Sequence, residues 1–173
     1  MKSPIYLRQP EPKDRRTFLE AAHRSRRLHR PWIRAPLTPV EFRSYLKKMS
    51  QVANRAYLVC RRDNHDFAGV INLTNVILGP FRSGYLGYYA FAGQERRGLM
   101  YAGIRAVTAH AFGRLKLHRL EANVQPDNAA SIALIRACGF RQEGYSPRYL
   151  KIGGRWRDHE RWAILAPRRG DAS

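Results

Sequence analysis

Residues 84–100 read Gly-Tyr-Leu-Gly-Tyr-Tyr-Ala-Phe-Ala-Gly-Gln-Glu-Arg-Arg-Gly-Leu-Met, and this stretch decides the fold. The tyrosine-rich run over residues 84–91 predicts a β-strand, and apolar residues at helical spacing begin at Leu99. Between the two lies a basic turn that contains Gly98. A helix N-terminus carries unpaired N–H groups and partial positive charge, so this turn is typical of an anion-binding site.

The segment that follows the helix, residues 120–124, alternates apolar and polar residues and predicts a second strand. A strand–helix–strand unit places its two strands in parallel. The flanking sequence predicts the other elements: a strand at 5–7, a helix over 12–30, a capped helix that starts at Thr38, strands at 56–60 and 67–74, a helix over 128–138, and a hairpin of 149–152 with 156–165.

These elements predict an α/β (α+β) fold with a mixed, mostly antiparallel sheet, a central parallel strand pair and flanking helices. We expect residues 1–166 to form one domain and residues 167–173 to be a flexible tail. With 173 residues and 44% hydrophobic composition, the chain is long enough to bury a core.

The chain carries 32 Lys and Arg against 13 Asp and Glu, which gives a formal net charge of +19. Such a field attracts polyanions such as RNA or a phosphorylated cofactor, although an arginine-rich proteome would give the same composition. No apolar run is long enough for a membrane span or a secretory signal, so we expect no membrane partner. Cys60 and Cys138 lack a CxxC arrangement, which predicts no disulfide, no metal site and a cytoplasmic location.

Four ordered motifs resemble the GNAT superfamily of N-acetyltransferases: Tyr85-Leu86-Gly87-Tyr88, Gly98-Leu99-Met100, residues 123–131 and residues 139–144. Within that superfamily the chain is similar to the RimJ/RimL group of ribosomal-protein N-terminal alanine acetyltransferases. Residues 154–159, Gly-Arg-Trp-Arg-Asp-His, resemble the RimJ branch in particular. The resemblance covers residues 67–165.

The resemblance implies acetyl-CoA as the acetyl donor, and no metal. In this family the strand before the turn carries a bulge and splays from the next strand, and the pantetheine arm lies in that opening. The implied cofactor-binding residues are Tyr88, Tyr89 and Ala90 for the pantetheine, Arg96, Arg97, Gly98, Leu99, Met100 and Tyr101 for the pyrophosphate, and Asn128 and Ser131 beside the thioester. Asn128 and Ser131 also fit a simple helix cap.

Two positions depart from the family pattern. Glu95 stands where the turn usually begins with Gln or Arg, and Ile135 stands where many members carry a tyrosine general acid. Ser131 is then the nearest candidate acid and Tyr88 the second. Glu121 is a candidate base that acts through a water, and its alternative is an ordinary exposed strand carboxylate.

The less well matched N-terminal half is expected to recognise the acceptor amine. The candidate substrate-binding residues are Trp32, Asn72, Asn75, Arg82 and Tyr149, with a core position as the alternative for Trp32. An α-amine has a pKa of about 7.7–8.0 and needs little help from a base.

The leading hypothesis is therefore acetylation of the N-terminal α-amine of a ribosomal protein, by a monomer or homodimer whose basic surface contacts the ribosome or RNA. The alternatives are acetylation of a small-molecule amine and a non-catalytic RNA-binding role.

Overall fold

The computed structural model describes residues 3–167. Apart from Pro167, the tail predicted over 167–173 lies outside the described residues. Within the described part of the chain, no helix is long and apolar enough to cross a membrane.

Residues 3–167 contain seven strands and five α-helices. The strands are β1 (Ile5–Arg8), β2 (Arg55–Arg61), β3 (Phe67–Ile77), β4 (Ser83–Ala90), β5 (Arg119–Val124), β6 (Arg141–Ile152) and β7 (Arg155–Leu165). A short 3₁₀ turn, Pro12–Asp14, precedes the helices α1 (Arg15–Arg24), α2 (Arg26–His29), α3 (Pro39–Met49), α4 (Leu99–Gly113) and α5 (Ala129–Ala137).

All seven strands form one sheet in the order β1-β2-β3-β4-β5-β7-β6. Every neighbouring pair is antiparallel except β4 and β5, which are parallel as the sequence predicts. The parallel pairing is short, because only Ser83–Tyr85 of β4 pair with residues 119–121 of β5. Both strands continue beyond these pairs, so they diverge toward their C-terminal ends. We call this gap the β4–β5 opening.

The bulge expected on β4 is absent from the described pairing. Residues 85–90 of β4 pair with residues 69–74 of β3 in one continuous register, and the register shift of this pair lies between Thr74 and Ile77 of β3. The opening therefore arises from the divergence of β5 and not from a bulge next to the basic turn.

The sheet packs a hydrophobic core against each face. Helices α4 and α5 cover one face through Ile104, Val107 and Ile135, and we call it the α4–α5 face. Helices α1 and α3 cover the other face through Phe18 and Phe42, which is the α1–α3 face. Because side chains alternate along a strand, each strand supplies residues to both cores.

Two predicted boundaries are wrong. The helix predicted over residues 12–30 breaks at Ser25, a fully buried residue whose hydroxyl donates to the Ala21 carbonyl at 2.6 Å. Strand β6 starts at Arg141 rather than near Tyr149. As an edge strand it buries little, so its sequence lacks the apolar alternation that identifies a strand.

The start of α3 follows its sequence signal closely. The Thr38 hydroxyl accepts the Glu41 N–H at 3.2 Å, and the Glu41 carboxylate accepts the Thr38 N–H at 3.1 Å. This capping box satisfies two N–H groups that would otherwise have no partner in the helix.

Replacing the capping hydroxyl, in Thr38→Ala, should lower the free energy of unfolding by about 1 kcal/mol. Urea denaturation measures the change, with Ser44→Ala on the exposed side of α3 as the matched control. The control should be neutral or slightly stabilising, since alanine favours helix. Equal stability of Thr38→Ala and the wild type would contradict the capping role.

Candidate active site

The basic turn between β4 and α4 presents an uninterrupted series of free N–H groups. Gly93, Arg96 and Gly98 all have positive φ, at 85°, 58° and 71°. The first backbone bond of α4 runs from Ala102 to Gly98, and the N–H groups of residues 95–101 have no acceptor among the described residues. Left-handed residues in a turn direct successive N–H groups to one side, which forms an anion-binding concavity. The turn therefore has the backbone geometry to bind phosphate.

The side chains of the turn also favour anion binding. The Glu95 carboxylate accepts the Gly93 N–H at 2.6 Å, so it is held at the start of the turn. Neither Arg96 nor Arg97 pairs with it within residues 3–167, and both guanidinium groups are exposed. The two arginines thus remain available to an anion.

Leu99 and Met100 are buried in the core, so they can offer only backbone N–H groups to a ligand. Gly69 on β3 makes room for Met100, because a Cβ at this glycine would lie 2.5 Å from the Met100 sulfur. The start of α4 is therefore packed directly on the sheet. Tyr101 is exposed.

The free edge of β4 lies at the opening. The Phe91 N–H donates to the Ala68 carbonyl of the β3 side at 2.9 Å. Donors alternate in direction along an antiparallel strand, so the Tyr89 N–H also points to β3 while those of Tyr88 and Ala90 point toward β5. The Tyr88 N–H, unlike that of Tyr89, therefore faces the opening.

The structure brings together the two candidate acids. The Tyr88 and Ser131 hydroxyls lie 2.8 Å apart and link β4 to the first turn of α5 on the α4–α5 face. Burial raises the pKa of Tyr88 well above its usual value, while the hydrogen bond to Ser131 opposes that rise. Tyr88 is therefore protonated at neutral pH and able to donate. Asn128 accepts the Ser131 N–H at 3.1 Å, which is the capping role that its position also allowed.

Glu121 is not part of this group. It pairs in register with Tyr85 on the α1–α3 face, opposite to Tyr88, and one carboxylate oxygen binds the Arg119 guanidinium at 2.7 Å. Burial, with smaller contributions from Glu121 and Tyr149, raises the pKa of Tyr85. Because Glu121 is ion-paired at the closed end of the opening, the structure gives no support to its proposed role as a base.

Residues 25–32 connect to both strands of the opening, and we call them the bridging segment. The His29 imidazole bonds the Ala90 carbonyl at the end of β4 at 2.8 Å. The Gln125 side chain, directly after β5, donates to the Trp32 carbonyl at 3.1 Å. Ser25 accepts the Ala92 N–H at 2.8 Å. Sequence reasoning selected Trp32 and Ala90 but not Ser25, His29 or Gln125, which are identified by the burial of their polar side chains.

The predicted acceptor residues divide into two groups. Trp32, Asn72 and Tyr149 lie on the α1–α3 side, where the Asn72 amide accepts the Tyr45 hydroxyl at 2.8 Å and the Tyr149 ring lies 6.3 Å from that of His159. Asn75 and Arg82 lie at the β3–β4 hairpin, and the Arg82 carbonyl accepts the His118 N–H. This is the closed end of the sheet, so the structure separates these two residues from the opening.

The opening contains one residue that sequence reasoning missed, Asn123, and one that it selected as a pantetheine-binding residue, Tyr89. The Asn123 amide oxygen on β5 and the Tyr89 hydroxyl on β4 are buried without a partner among the described residues. Both point to the α1–α3 side, one from each strand. An unpaired buried polar atom is costly, and it marks a place where a ligand can supply the partner. Neither atom could be identified from the sequence, because the folded structure determines whether it has a hydrogen-bond partner.

Neither cysteine has the environment of a nucleophile. Burial raises the pKa of the Cys138 thiol to about 11 and also raises that of Cys60. Within residues 3–167, no group of His, Cys, Asp and Glu side chains could hold a metal ion.

Comparison with known proteins places this geometry in context. A family profile described as an acetyltransferase (GNAT) domain matches residues 5–141. The probable N-acetyltransferase YjcK of Bacillus subtilis is 37% identical over 99 residues, which are 57% of this chain and 55% of that protein. The ribosomal protein uS5-alanine N-acetyltransferase of Escherichia coli is 37% identical over 105 residues, 61% of this chain and 54% of that protein. The matches thus span about half the length of these curated relatives.

Solved structures share the fold across nearly the whole chain. Mycobacterium smegmatis RimJ in complex with CoA-disulfide gives a TM-score of 0.87 at 26% identity over 94% of this chain and 82% of that chain. Spermidine N-acetyltransferase from Vibrio cholerae, in complex with CoA and spermine, gives 0.80 at 24% identity over 95% of this chain and 96% of that chain. The second likeness shows the fold alone.

The two buried histidines predict a pH-dependent stability. Burial lowers the pKa values of His29 and His159 below the usual value of about 6.5. Between pH 6.5 and the lowered pKa values, the unfolded chain binds protons that the folded chain does not. Their stabilising contribution is therefore complete above about pH 6.5 and is lost as the pH falls through this window.

Thermal melts from pH 7.5 to 5 should show a Tm that falls as the pH is lowered. This pH range lies above the usual pKa values of carboxylates. His29→Gln should flatten the fall because the amide can still donate to Ala90 but does not titrate. His118→Gln, an exposed position, should leave the slope unchanged. A wild-type Tm that is constant over this range would contradict the assignment.

Proposed function

The chain belongs to the GNAT acetyltransferase family, and on that basis we propose that it transfers acetyl from acetyl-CoA to the N-terminal α-amine of a ribosomal protein. The observation that carries the proposal is the β4–β5 opening, which ends at the free N–H groups of residues 95–101. An extended chain with an anion at one end fits this arrangement.

The residues of the opening have distinct roles in this proposal. The N–H groups of residues 95–101 bind the pyrophosphate, and Arg96 and Arg97 add charge-assisted hydrogen bonds. The carbonyl of Tyr88 and the N–H of Ala90, which face the opening, bind the pantetheine amides as a partner strand would. The cofactor supplies an activated acetyl group as a thioester.

The proposed chemistry needs few protein groups. An α-amine is partly neutral near pH 7 and can attack the thioester directly. The Tyr88 N–H lies where it can stabilise the developing oxyanion. As the C–S bond breaks, the Tyr88 hydroxyl, held by Ser131 at 2.8 Å, donates a proton to the leaving thiolate. The nitrogen of the new amide loses its extra proton to water, and the tyrosinate takes a proton back from water.

Charge on the acceptor side supports a protein acceptor over a polyamine. The cleft between the bridging segment and the β6–β7 hairpin contains five arginines and no acidic side chain among its described lining. Such a surface repels a polycation. The relatives that act on ribosomal protein uS5 and the charge of +19 favour an acceptor presented near RNA.

The direct test incubates the protein with acetyl-CoA and purified ribosomal proteins and identifies the modified N-termini by mass spectrometry. We expect at least one acetylated N-terminal α-amine and no acetylated spermidine in a parallel assay. Arg96→Gln combined with Arg97→Gln should weaken acetyl-CoA binding in calorimetry. Acetylation of spermidine with unmodified N-termini would overturn the proposed acceptor.

Removing the proposed acid in Tyr88→Phe should lower kcat by about 100-fold, since general acid catalysis contributes on that order. The dissociation constant for CoA should stay within about twofold because the backbone contacts remain. Steady-state kinetics and calorimetry measure the two values.

Tyr6→Phe, which removes a hydroxyl on β1 that contacts the exposed His65 at 3.1 Å, is the matched control. Ser131→Ala should cause a smaller loss than Tyr88→Phe. Wild-type kcat in a folded Tyr88→Phe enzyme would show that another group protonates the thiolate.

A further inference from the structure

A basic cleft lies beside the β4–β5 opening on the α1–α3 side. It has a volume of about 510 Å³ and is bounded by the bridging segment, the loop that follows it and the β6–β7 hairpin. His29 lines the cleft and also bonds Ala90 at the end of β4, so the cleft adjoins the opening directly. We call it the arginine cleft after its basic residues, Arg26, Arg30, Arg34, Arg155 and Arg157.

Most of this charge is not neutralised by the protein. Arg34 pairs with Glu41 at 2.7 Å, whereas the other four arginines have no carboxylate partner among the described residues. Asp158, adjacent in sequence to Arg157, is already engaged by the Tyr145 hydroxyl at 2.6 Å and the Arg148 N–H at 2.7 Å. The cleft therefore presents a strong positive field without an internal counter-charge.

Arg157 carries the sharpest signal. Its Nε is buried and has no hydrogen-bond acceptor among the described residues. Burying a donor of a charged group without an acceptor is costly, and the cost is removed when an anion binds. A carboxylate fits a guanidinium edge through two parallel hydrogen bonds.

The remaining lining distinguishes a peptide from a nucleic acid. Ile33, Leu37 and Ile152 give the cleft apolar walls, and the only aromatic ring in its described lining is the imidazole of His29, which is 6% exposed. Recognition of single-stranded RNA relies on accessible aromatic rings on which bases stack. Apolar walls combined with arginines are suited to a short peptide that bears an acidic side chain.

We infer that the arginine cleft binds a carboxylate side chain within the first few residues of the acceptor polypeptide, with Arg157 as the specificity-determining residue. This inference rests on the proposed acetylation of protein N-termini. The acceptor amine enters the opening while the following residues run past His29 into the cleft. An Asp or Glu there supplies the missing acceptor for the Arg157 Nε.

The test uses synthetic peptides with an N-terminal alanine, followed by serine and glycine, that carry glutamate, glutamine or lysine at one of positions two to five. At the best position, kcat/KM for the glutamate peptide should exceed that for the glutamine peptide about tenfold, the value of one charged hydrogen bond. Lysine should be the poorest. Arg157→Gln should abolish the preference, and Arg114→Gln, an exposed arginine after α4, should retain it.

A double variant, Arg30→Gln with Arg155→Gln, provides a second test in case Arg157→Gln misfolds, because both of its altered side chains are exposed. It should reduce the glutamate preference severalfold. The inference is overturned if the wild type does not distinguish glutamate from glutamine at any position, or if Arg157→Gln retains the full preference.

A binding measurement separates this inference from the proposed function. Fluorescent forms of the glutamate and glutamine peptides are titrated into the CoA-bound protein. Tighter binding of glutamate that is lost in Arg157→Gln supports the cleft even if no peptide is acetylated, a result that would overturn only the proposed function. Equal binding of the two peptides, or an RNA oligonucleotide as the preferred occupant, overturns the inference.

Discussion

Three residues of β4 pair with three of β5, and beyond Tyr85 and Glu121 the two strands separate. This divergence leaves the backbone groups of Tyr88 without a partner strand in the interior of a sheet, where nearly every such group is normally paired. The same divergence directs β4 into the basic turn and brings the start of α4 to the end of the opening. A sheet that stayed paired to Ala90 would have no place for an extended ligand. The proposed chemistry therefore depends on the absence of β4–β5 pairing beyond Tyr85 and Glu121.

Keeping such a gap open requires contacts on both sides of it. On the α4–α5 face, the Tyr88 and Ser131 hydroxyls join β4 to α5. On the α1–α3 face, the bridging segment bonds Ala90 through His29 and receives a bond from Gln125 after β5. These contacts use buried polar side chains, which are stable only when they are paired. The protein thus fixes the spacing of the two strands with hydrogen bonds of buried side chains, and leaves the backbone groups of Tyr88 on the strand edge free.

The sequence predicted the sheet, its parallel pair and the capped start of α3 because each has a local signal: alternating apolar residues, a strand–helix–strand order, and a Thr-Pro-Val-Glu cap. It did not predict the break at Ser25, because the hydroxyl of this residue binds the Ala92 N–H far along the chain. It did not predict the early start of β6, because an exposed edge strand lacks apolar alternation. The same distinction applies to the site. The basic turn and the candidates Tyr88 and Ser131 could be selected from sequence motifs. Asn123, Gln125 and Arg157 could not, because their importance depends on whether a hydrogen-bond partner lies nearby in the folded chain. Asn75 and Arg82 were chosen by proximity along the chain, and the hairpin carries them to the end of the sheet where β4 and β5 are paired.

Ser25 and His29 bond the backbone of Ala92 and Ala90, the residues that lead into the basic turn. The segment that borders the proposed acceptor side is thus attached to the backbone that leads into the proposed donor site. A ligand that orders this shared backbone lowers the entropic cost for the second ligand to bind. Linkage then requires the effect to be mutual, so that each substrate raises the affinity of the other by the same factor. Two short hydrogen bonds would in this way couple the two proposed half-sites, so that they behave thermodynamically as one.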